Sequence, residues 1–371
     1  MNILVPQPRV DRTLTSGPIV DCDIHPGIKS PSDIRSRLPK RWQEHFDLYG
    51  SYLRQPVMGT QIYLRMSPGT AREDAWPPNG GIPGSDLEFM RTQHLDANNV
   101  EYGILHPLAP SGFDQRNLEY GAAICSAVND WQSEYWLDAE PRLRGSITVP
   151  QENPEAAIRE IERRAQDRRF VQISFAAYAS EPLGRQRYWP IFEMAEKVGL
   201  PVGLHIGGVN GFPPSGCGWP SYYMEHHFSS VPAMASLVVS LVLEGVFERY
   251  PKLRVILTEA GFAWVPSLCW RLDQHWERMR SEVPHLKEPP SYYIKKHVYY
   301  TTQPIEEPTK PGQLRQLIDL IGWDRLFFST DYPHWDFDDP NYAFRMKLSE
   351  KEREMVFRAN AKEVYGLNHD Q

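Results

Sequence analysis

Residues 144–207 carry the pattern that decides the fold. Three short apolar runs lie in this stretch: RGSITVP at 144–150, FVQISFA at 170–176 and LPVGLHIG at 200–207. Two amphipathic segments separate them, the first opening with Asn153-Pro154-Glu155 and the second closing at Gly199, which are typical helix start and stop signals. Short apolar runs that alternate with helices predict parallel strands joined by right-handed crossovers.

The same alternation continues on both sides of this stretch. Further strands are predicted at 18–25, 100–108, 253–261, 297–303 and 325–331, and helices at 117–139, 153–166, 188–198, 231–249, 262–280, 311–321 and 350–365. Eight strand–helix units predict an α/β fold, a (β/α)8 TIM barrel. An open doubly wound sheet uses the same alternation, but no GxGxxG follows the first strand. We expect one domain over 1–371, with a long insertion after the first strand at about 27–93.

Composition excludes several classes of function. The 371 residues carry a net charge of −7, with 41% apolar and 23% charged residues, which argues against disorder and against nucleic acid or an anionic membrane as a partner. There is no run of 18 apolar residues, and the N-terminus lacks the charged start and apolar core of a secretion signal. The four cysteines are scattered, as in a reducing compartment: Cys22, Cys125, Cys217 and Cys269. A cytoplasmic protein that acts on a small molecule is expected.

Residues that bind metals or carry protons stand at the predicted carboxyl ends of the strands, where a barrel of this kind builds its site. They are Asp23 and His25 after strand one, His106 after strand two, His205 after strand five, Glu259 after strand six and Asp331 after strand eight. Because side chains alternate along a strand, Asp23 and His25 are predicted to point into the barrel, and Cys22 and Ile24 outward.

Two carboxylates and two imidazoles form a mixed oxygen and nitrogen set: Asp23, His25, His205 and Asp331. Such a set suits one divalent ion, Zn²⁺ first, with Mn²⁺ and Fe²⁺ as alternatives. Taken singly, each residue also fits a plainer role as a hydrogen-bonded core residue or a turn cap. Together they predict a metal site, since charges at a barrel mouth are costly unless they are paired or metal-bound.

Four segments resemble the second amidohydrolase family, which includes aminocarboxymuconate semialdehyde decarboxylase and the resorcylate decarboxylases. They are VDCDIHP at 20–26, LHIGG at 204–208, LTEAGFAWVPSLCWRL at 257–272 and FSTDYPHW at 328–335. The resemblance implies a metal-dependent barrel enzyme with Asp23, His25, His205 and Asp331 as ligands, and a homo-oligomer, a dimer by resemblance. Decarboxylases of the family carry a histidine where this chain has Glu259.

That departure favours hydrolysis over decarboxylation. The predicted function is a metal-dependent hydrolase that activates water to attack a carbonyl-type centre of a small aromatic or apolar substrate. Asp331 would accept the proton of the water and Glu259 would pass it to the leaving group. Non-oxidative decarboxylation of an aromatic or enoic acid is the alternative, and a non-catalytic metal-bound barrel is the third. His226 and His227 could supply the missing imidazole from a loop.

Further residues are candidates for binding the substrate, although packing or solvation accounts for each of them equally well or better. The candidates are His106, His226, His227, His334, Arg72, Trp76 and Trp335. Like Arg72, Arg54 and Arg65 are candidates for binding a substrate carboxylate. Phe212, Trp219 and Tyr222 are candidates for lining an apolar pocket.

Overall fold

The computed structural model describes residues 17–51, 70–113, 115–208, 213 and 215–369. Eight strands form one sheet in the order β1 to β8, and each neighbouring pair is parallel. The strands are β1 Ile19–Ile24, β2 Val100–Leu105, β3 Leu143–Thr148, β4 Phe170–Tyr178, β5 Val202–Gly208, β6 Val255–Thr258, β7 Val298–Thr301 and β8 Leu326–Phe327.

The last strand returns to the first, which nearly closes the sheet into a barrel. The Cys22 amide donates to the Phe328 carbonyl at 3.0 Å, and the His25 amide donates to the Tyr332 carbonyl at 2.8 Å. All eight predicted strands and the predicted (β/α)8 TIM barrel are therefore confirmed. Parallel strands all end at the same rim, so the residues that follow them meet there.

Helices connect the strands. They are α1 Ser32–Arg35, α2 Lys40–Tyr49, α3 Leu87–Met90, α4 Leu118–Trp131, α5 Pro154–Arg164, α6 Trp189–Val198, α7 Tyr223–Phe228, α8 Ser230–Leu243, α9 Val246–Arg249, α10 Val265–Met279, α11 Pro290–His297, α12 Pro311–Ile321, α13 Glu350–Glu354 and α14 Asn360–Tyr365. Single π-helical turns extend three of them: Arg91–Asp96, Gln132–Leu137 and Met355–Ala359. The sequence analysis missed the helices between β1 and β2, although α2 buries Trp42 and Phe46 at i, i+4 spacing.

The interior of the barrel corrects one prediction. Cys22 does not point outward, because it belongs to a buried cluster that residues of β1, β2, β4, β6 and β8 form with Tyr365 of α14. Strands on all sides of the barrel can meet only in its interior. The pairing of β1 with β2 is irregular here, since Asp21 lies opposite Gly103 and Ile24 opposite Leu105. Three steps along β1, from Asp21 to Ile24, therefore match only two along β2, and the side chains of β1 no longer alternate regularly between the two faces.

One helical stretch, Tyr223–Leu243, is long and apolar enough to cross a membrane, with a mean hydropathy of 1.4. In this structure α8 lies on the outside of the barrel. Its residues Met234, Val238 and Leu241 are buried in the main core. The apolar stretch thus contributes to the main hydrophobic core, which the strands form with the helices outside the barrel.

Candidate metal centre and acid–base cluster

Three of the predicted ligands converge at the rim of the barrel. Asp23 Oδ1 lies 3.2 Å from His25 Nε2 and 3.5 Å from His205 Nε2. The side chains of these three residues are at most 6% exposed. A carboxyl oxygen of Glu259 lies within 4.8 Å of the same ligand atoms. The register of β1 and β5 thus brings together groups that are 182 residues apart in the chain.

Backbone carbonyls fix the orientation of both imidazoles. His25 Nδ1 lies 2.9 Å from the His106 carbonyl, and His205 Nδ1 lies 2.7 Å from the Ile206 carbonyl. A carbonyl oxygen only accepts, so Nδ1 donates in each ring and Nε2 of the neutral ring offers a lone pair. Both Nε2 atoms face Asp23, and a carbonyl behind each ligand imidazole is typical of metal sites.

Asp331 joins this group through His25. It follows β8, and its Oδ1 lies 2.7 Å from His25 Nε2 and 2.7 Å from His334 Nδ1. Gln303 Nε2 donates to Oδ2 at 3.3 Å. Burial opposes ionisation, but the charge of His334 and the hydrogen bond with His25 hold the pKa of Asp331 far below its usual value.

The chemistry of these residues fits a divalent cation. Among the described residues, neither buried carboxyl oxygen of Asp23 has a hydrogen-bond partner, and nor does the buried Nε2 of His205. A buried carboxylate without such partners is costly unless a cation balances it. Burial lowers the pKa of His205, but the charge of Asp23 outweighs this and raises it to about 9. The carboxylate of Asp23 thus attracts positive charge, which a bound metal ion would supply in place of a proton on His205. The identity of the ligands remains a prediction.

Backbone strain marks the same rim. Among the described residues other than glycine, φ is positive at Asn99, Glu259 and Asp331, with values of 53°, 56° and 61°. Each such residue costs about 1 kcal/mol or more and persists only where its surroundings impose it. Two of the three residues carry carboxylates into the candidate site, so the strain goes with the placement of functional groups.

A buried network that the sequence analysis missed supports Asp331. Asp21 Oδ1 accepts from the Thr330 amide at 2.9 Å, and Oδ2 accepts from the Thr330 hydroxyl at 2.6 Å and from His94 Nε2 at 2.8 Å. The His94 ring stacks on Tyr332 with centroids 4.6 Å apart. An acid inside an apolar strand was the available signal for Asp21. Nothing in the sequence pointed to His94, which lies in the insertion.

A second cluster lies beside the first, on the β6 side. His227 of α7 places Nε2 3.0 Å from Asp336 Oδ2 and 3.9 Å from Glu259 Oε1. Glu259 Oε2 lies 3.7 Å from His205 Nε2, so Glu259 stands between the two clusters. Gln303 Nε2 donates to Asp336 Oδ2 at 2.8 Å. Neither Asp336 nor Gln303 was predicted, because their placement depends on the turns after β7 and β8.

The local charges set the protonation of this cluster. The hydrogen bond with Asp336 raises the pKa of His227. Burial, together with the charge of Asp331, raises the pKa of Glu259 well above its usual value. Burial lowers the pKa of His226. The rim thus contains groups that can hold a proton near neutral pH.

Two other predicted histidines are engaged with protein groups. His106 is 1% exposed and its Nε2 lies 2.9 Å from Gln172 Nε2, while burial lowers its pKa to about 3. His334 stacks on His25 with centroids 4.5 Å apart. Burial opposes a charged ring there, but Asp331 raises the pKa of His334 to about 10. Both remain candidates for contact with a substrate.

The predicted arginine and aromatic residues are more dispersed. The Arg72 guanidinium donates to both carboxyl oxygens of Asp74, at 2.8 and 2.6 Å. Trp335 is 51% exposed and its indole donates to the Tyr223 hydroxyl at 3.0 Å. The remaining predicted aromatics are exposed: Trp76, Trp219 and Tyr222. Arg54, Arg65 and Phe212 lie outside the described residues.

Several known proteins that are similar to this chain are decarboxylases. The chain is 27% identical over 340 residues to gamma-resorcylate decarboxylase of Polaromonas sp., covering 86% of this chain and 99% of the relative. The crystal structure of 5-carboxyvanillate decarboxylase from Sphingomonas paucimobilis is similar, with a TM-score of 0.71, 21% identity and coverage of 95% and 99%. The Polaromonas dihydroxybenzoic acid decarboxylase, crystallised with manganese and 2-nitroresorcinol, has a TM-score of 0.68, 22% identity and coverage of 95% and 98%.

The prediction of hydrolysis is therefore wrong, because the Polaromonas relative, matched over 99% of its length, is a decarboxylase, and so is the structurally similar Sphingomonas protein. The prediction assumed that an acid–base imidazole must follow strand six, so that Glu259 counted against decarboxylation. The structure brings another imidazole to this rim. His227 reaches the same rim from α7, 3.9 Å from Glu259.

The family model for amidohydrolases matches residues 20–367. This match spans the barrel from β1 to the end of α14 and includes every residue of the two clusters. The resemblance that the sequence motifs suggested is thereby confirmed, and the chain belongs to the amidohydrolase family as an enzyme of that superfamily.

Proposed function

We propose that this protein is a metal-dependent, non-oxidative decarboxylase of an aromatic carboxylic acid. The main observation behind this proposal is that two oriented Nε2 atoms converge on Asp23, whose buried oxygens accept no hydrogen bond from the part of the chain that the structure describes. The decarboxylase relatives support this choice of reaction. Manganese replaces zinc as the expected metal, since the Polaromonas structure was crystallised with manganese and carboxylate ligands such as Asp23 and Asp331 suit it.

Asp23, His25, His205 and Asp331 would hold the ion. A divalent cation bound there supplies a Lewis acid that stabilises negative charge on the substrate's oxygens. The protein's own residues do the rest. The His106 and Ile206 carbonyls orient the two imidazoles, and Gln303 holds Asp331. The acid–base cluster of Glu259, His227 and Asp336 provides the proton that decarboxylation needs.

Aromatic side chains beside this cluster favour a flat substrate. The Trp335 ring lies 5.9 Å from His227 and 6.2 Å from Tyr223, measured between centroids. The hydrogen bond from the Trp335 indole to the Tyr223 hydroxyl ties the two rings together. An aromatic acid could stack against such rings. This arrangement supports an aromatic over an aliphatic acid.

The test is to incubate the manganese-loaded protein with gamma-resorcylate, 5-carboxyvanillate and related hydroxybenzoates and to measure released CO₂ and the decarboxylated phenol. We expect CO₂ from at least one of these acids, and none with Asp23→Ala. Esters and lactones serve as the comparison substrates. Hydrolysis of those compounds, with no CO₂ from any acid, would overturn the proposal.

A further inference from the structure

His227 reaches the rim from a helix, unlike the predicted ligands His25 and His205. It comes from α7, the helix after β5, and its Nε2 lies 3.0 Å from Asp336 and 3.9 Å from Glu259. Its side chain is 25% exposed, against 6% for His25 and 3% for His205. Nε2 is thus directed at carboxylates of the site while part of the ring still reaches water.

Asp336 is itself held in place. Its Oδ2 accepts from His227 and from Gln303 Nε2, and Gln303 Nε2 also lies 3.3 Å from Asp331 Oδ2. Through Gln303 the position of the His227 N–H is fixed relative to the predicted metal ligand Asp331. A group that must deliver a proton to one carbon needs this kind of fixed geometry.

The charges around His227 favour its protonated form. Negative groups face it from two elements: Asp336 and Asp331 from the turn after β8, and Glu259 from the end of β6. Burial and the positive charge of His334 oppose them. The hydrogen bond with Asp336 has the largest effect, and the net result is a raised pKa of His227.

We propose that His227, positioned by Asp336, donates the proton that replaces CO₂ on the substrate, an inference that rests on the proposed decarboxylation. In this step the Nδ1–H bond breaks and a C–H bond forms at the ring carbon that bears the carboxylate, while Nε2–H keeps its hydrogen bond to Asp336 Oδ2. The bond from that carbon to the carboxylate then breaks, its electron pair returns to the ring and CO₂ leaves. The neutral imidazole regains a proton from water at its exposed edge, so each turnover consumes one proton.

The first test is His227→Gln, with His275→Gln as the matched control, since His275 is an exposed histidine on α10. With the acid that the wild-type enzyme decarboxylates, we expect kcat to fall by about 100-fold. KM should stay within about threefold, because the lost interaction acts on the chemical step. The control should match the wild type. A kcat of His227→Gln within threefold of the wild type would overturn the proposal.

The second test is Asp336→Asn, which keeps the shape of the side chain but removes its charge. The pKa of His227 should fall, so the decline of kcat at high pH should begin at a lower pH than in the wild type. An unchanged pH profile would overturn the role of His227 even if His227→Gln does not fold. If the wild type releases no CO₂, the proposed function itself has failed, and the donor role fails with it.

Discussion

The two sides of the barrel mouth are built differently. On the β1–β8 side, Asp331 bonds to His25 at 2.7 Å and accepts from Gln303 at 3.3 Å, and Asp21 holds the preceding Thr330 through bonds of 2.6 and 2.9 Å. On the β5–β6 side, the Glu259 oxygens lie 3.7 and 3.9 Å from two imidazole nitrogens, beyond hydrogen-bond distance. The first side is arranged to hold a charge in a fixed place. The second side places the Glu259 carboxyl group between two imidazoles without a direct hydrogen bond to either, an arrangement suited to proton exchange.

The largest effect is expected on the fixed side, from Asp331→Ala. Removal of this carboxylate takes away a predicted ligand and leaves His25 without its 2.7 Å partner. We expect kcat to fall by roughly 1,000-fold and bound manganese to fall with it. Turnover assays and elemental analysis of the purified variant measure both. Full turnover with normal metal content would remove Asp331 from the site.

The next effect is expected from Asp21→Asn, which touches none of the predicted ligands' side chains. Asp21 fixes Thr330, the residue before Asp331, through both of its oxygens. Loss of this support should weaken manganese affinity by about 10- to 100-fold, as is usual for groups that orient metal ligands. A titration with manganese measures it. An affinity equal to that of the wild type would show that the network serves only the fold.

On the proton-exchanging side, Glu259→Gln should lower kcat by about tenfold or more and change KM little. The amide keeps the size of the side chain but cannot carry a proton or a negative charge beside His205 and His227. Steady-state kinetics with the acid that the wild-type enzyme decarboxylates measure the effects on kcat and on KM separately. An unchanged kcat would exclude Glu259 from the chemistry, and a rise in KM alone would assign it to substrate binding.

The smallest effect is expected from Arg72→Ala in the insertion. Its guanidinium is already bound to Asp74 and lies over the Phe337 ring, with the central carbon 4.4 Å from the ring centroid. A partly exposed ion pair of this kind contributes little, so kcat/KM should change by less than about fivefold. A much larger rise in KM would instead support the sequence-based prediction that Arg72 clamps the substrate carboxylate.

The parts of the site that the sequence predicted are those that follow directly from the strands. Asp23, His25, His205 and Glu259 lie in strands or directly after them, and Asp331 follows the short β8, so locating the strands located these residues. The side on which Cys22 lies was missed because an irregular register breaks the alternation in β1. Local rules of periodicity do not encode such an irregularity.

The acid–base cluster depends on contacts between distant elements. His227 and Asp336 meet because α7 packs against the turn after β8, 109 residues later in the chain. The sequence offered His226 and His227 as equals, and only tertiary structure distinguishes them. The reaction was misjudged because the absence of a histidine after β6 was given more weight than the possibility that His226 or His227 replaces it, and only the tertiary structure brings His227 close to Glu259.

Whether Asp23, His25 and His205 bind a metal ion can be measured directly by crystallography. The crystals should be grown with manganese and without chelator, and anomalous scattering should be measured at the manganese edge. We expect one strong anomalous peak about 2.2 Å from an Asp23 oxygen and from Nε2 of both His25 and His205. Density with no peak, and with Asp23 hydrogen-bonded directly to the two imidazoles, would contradict it.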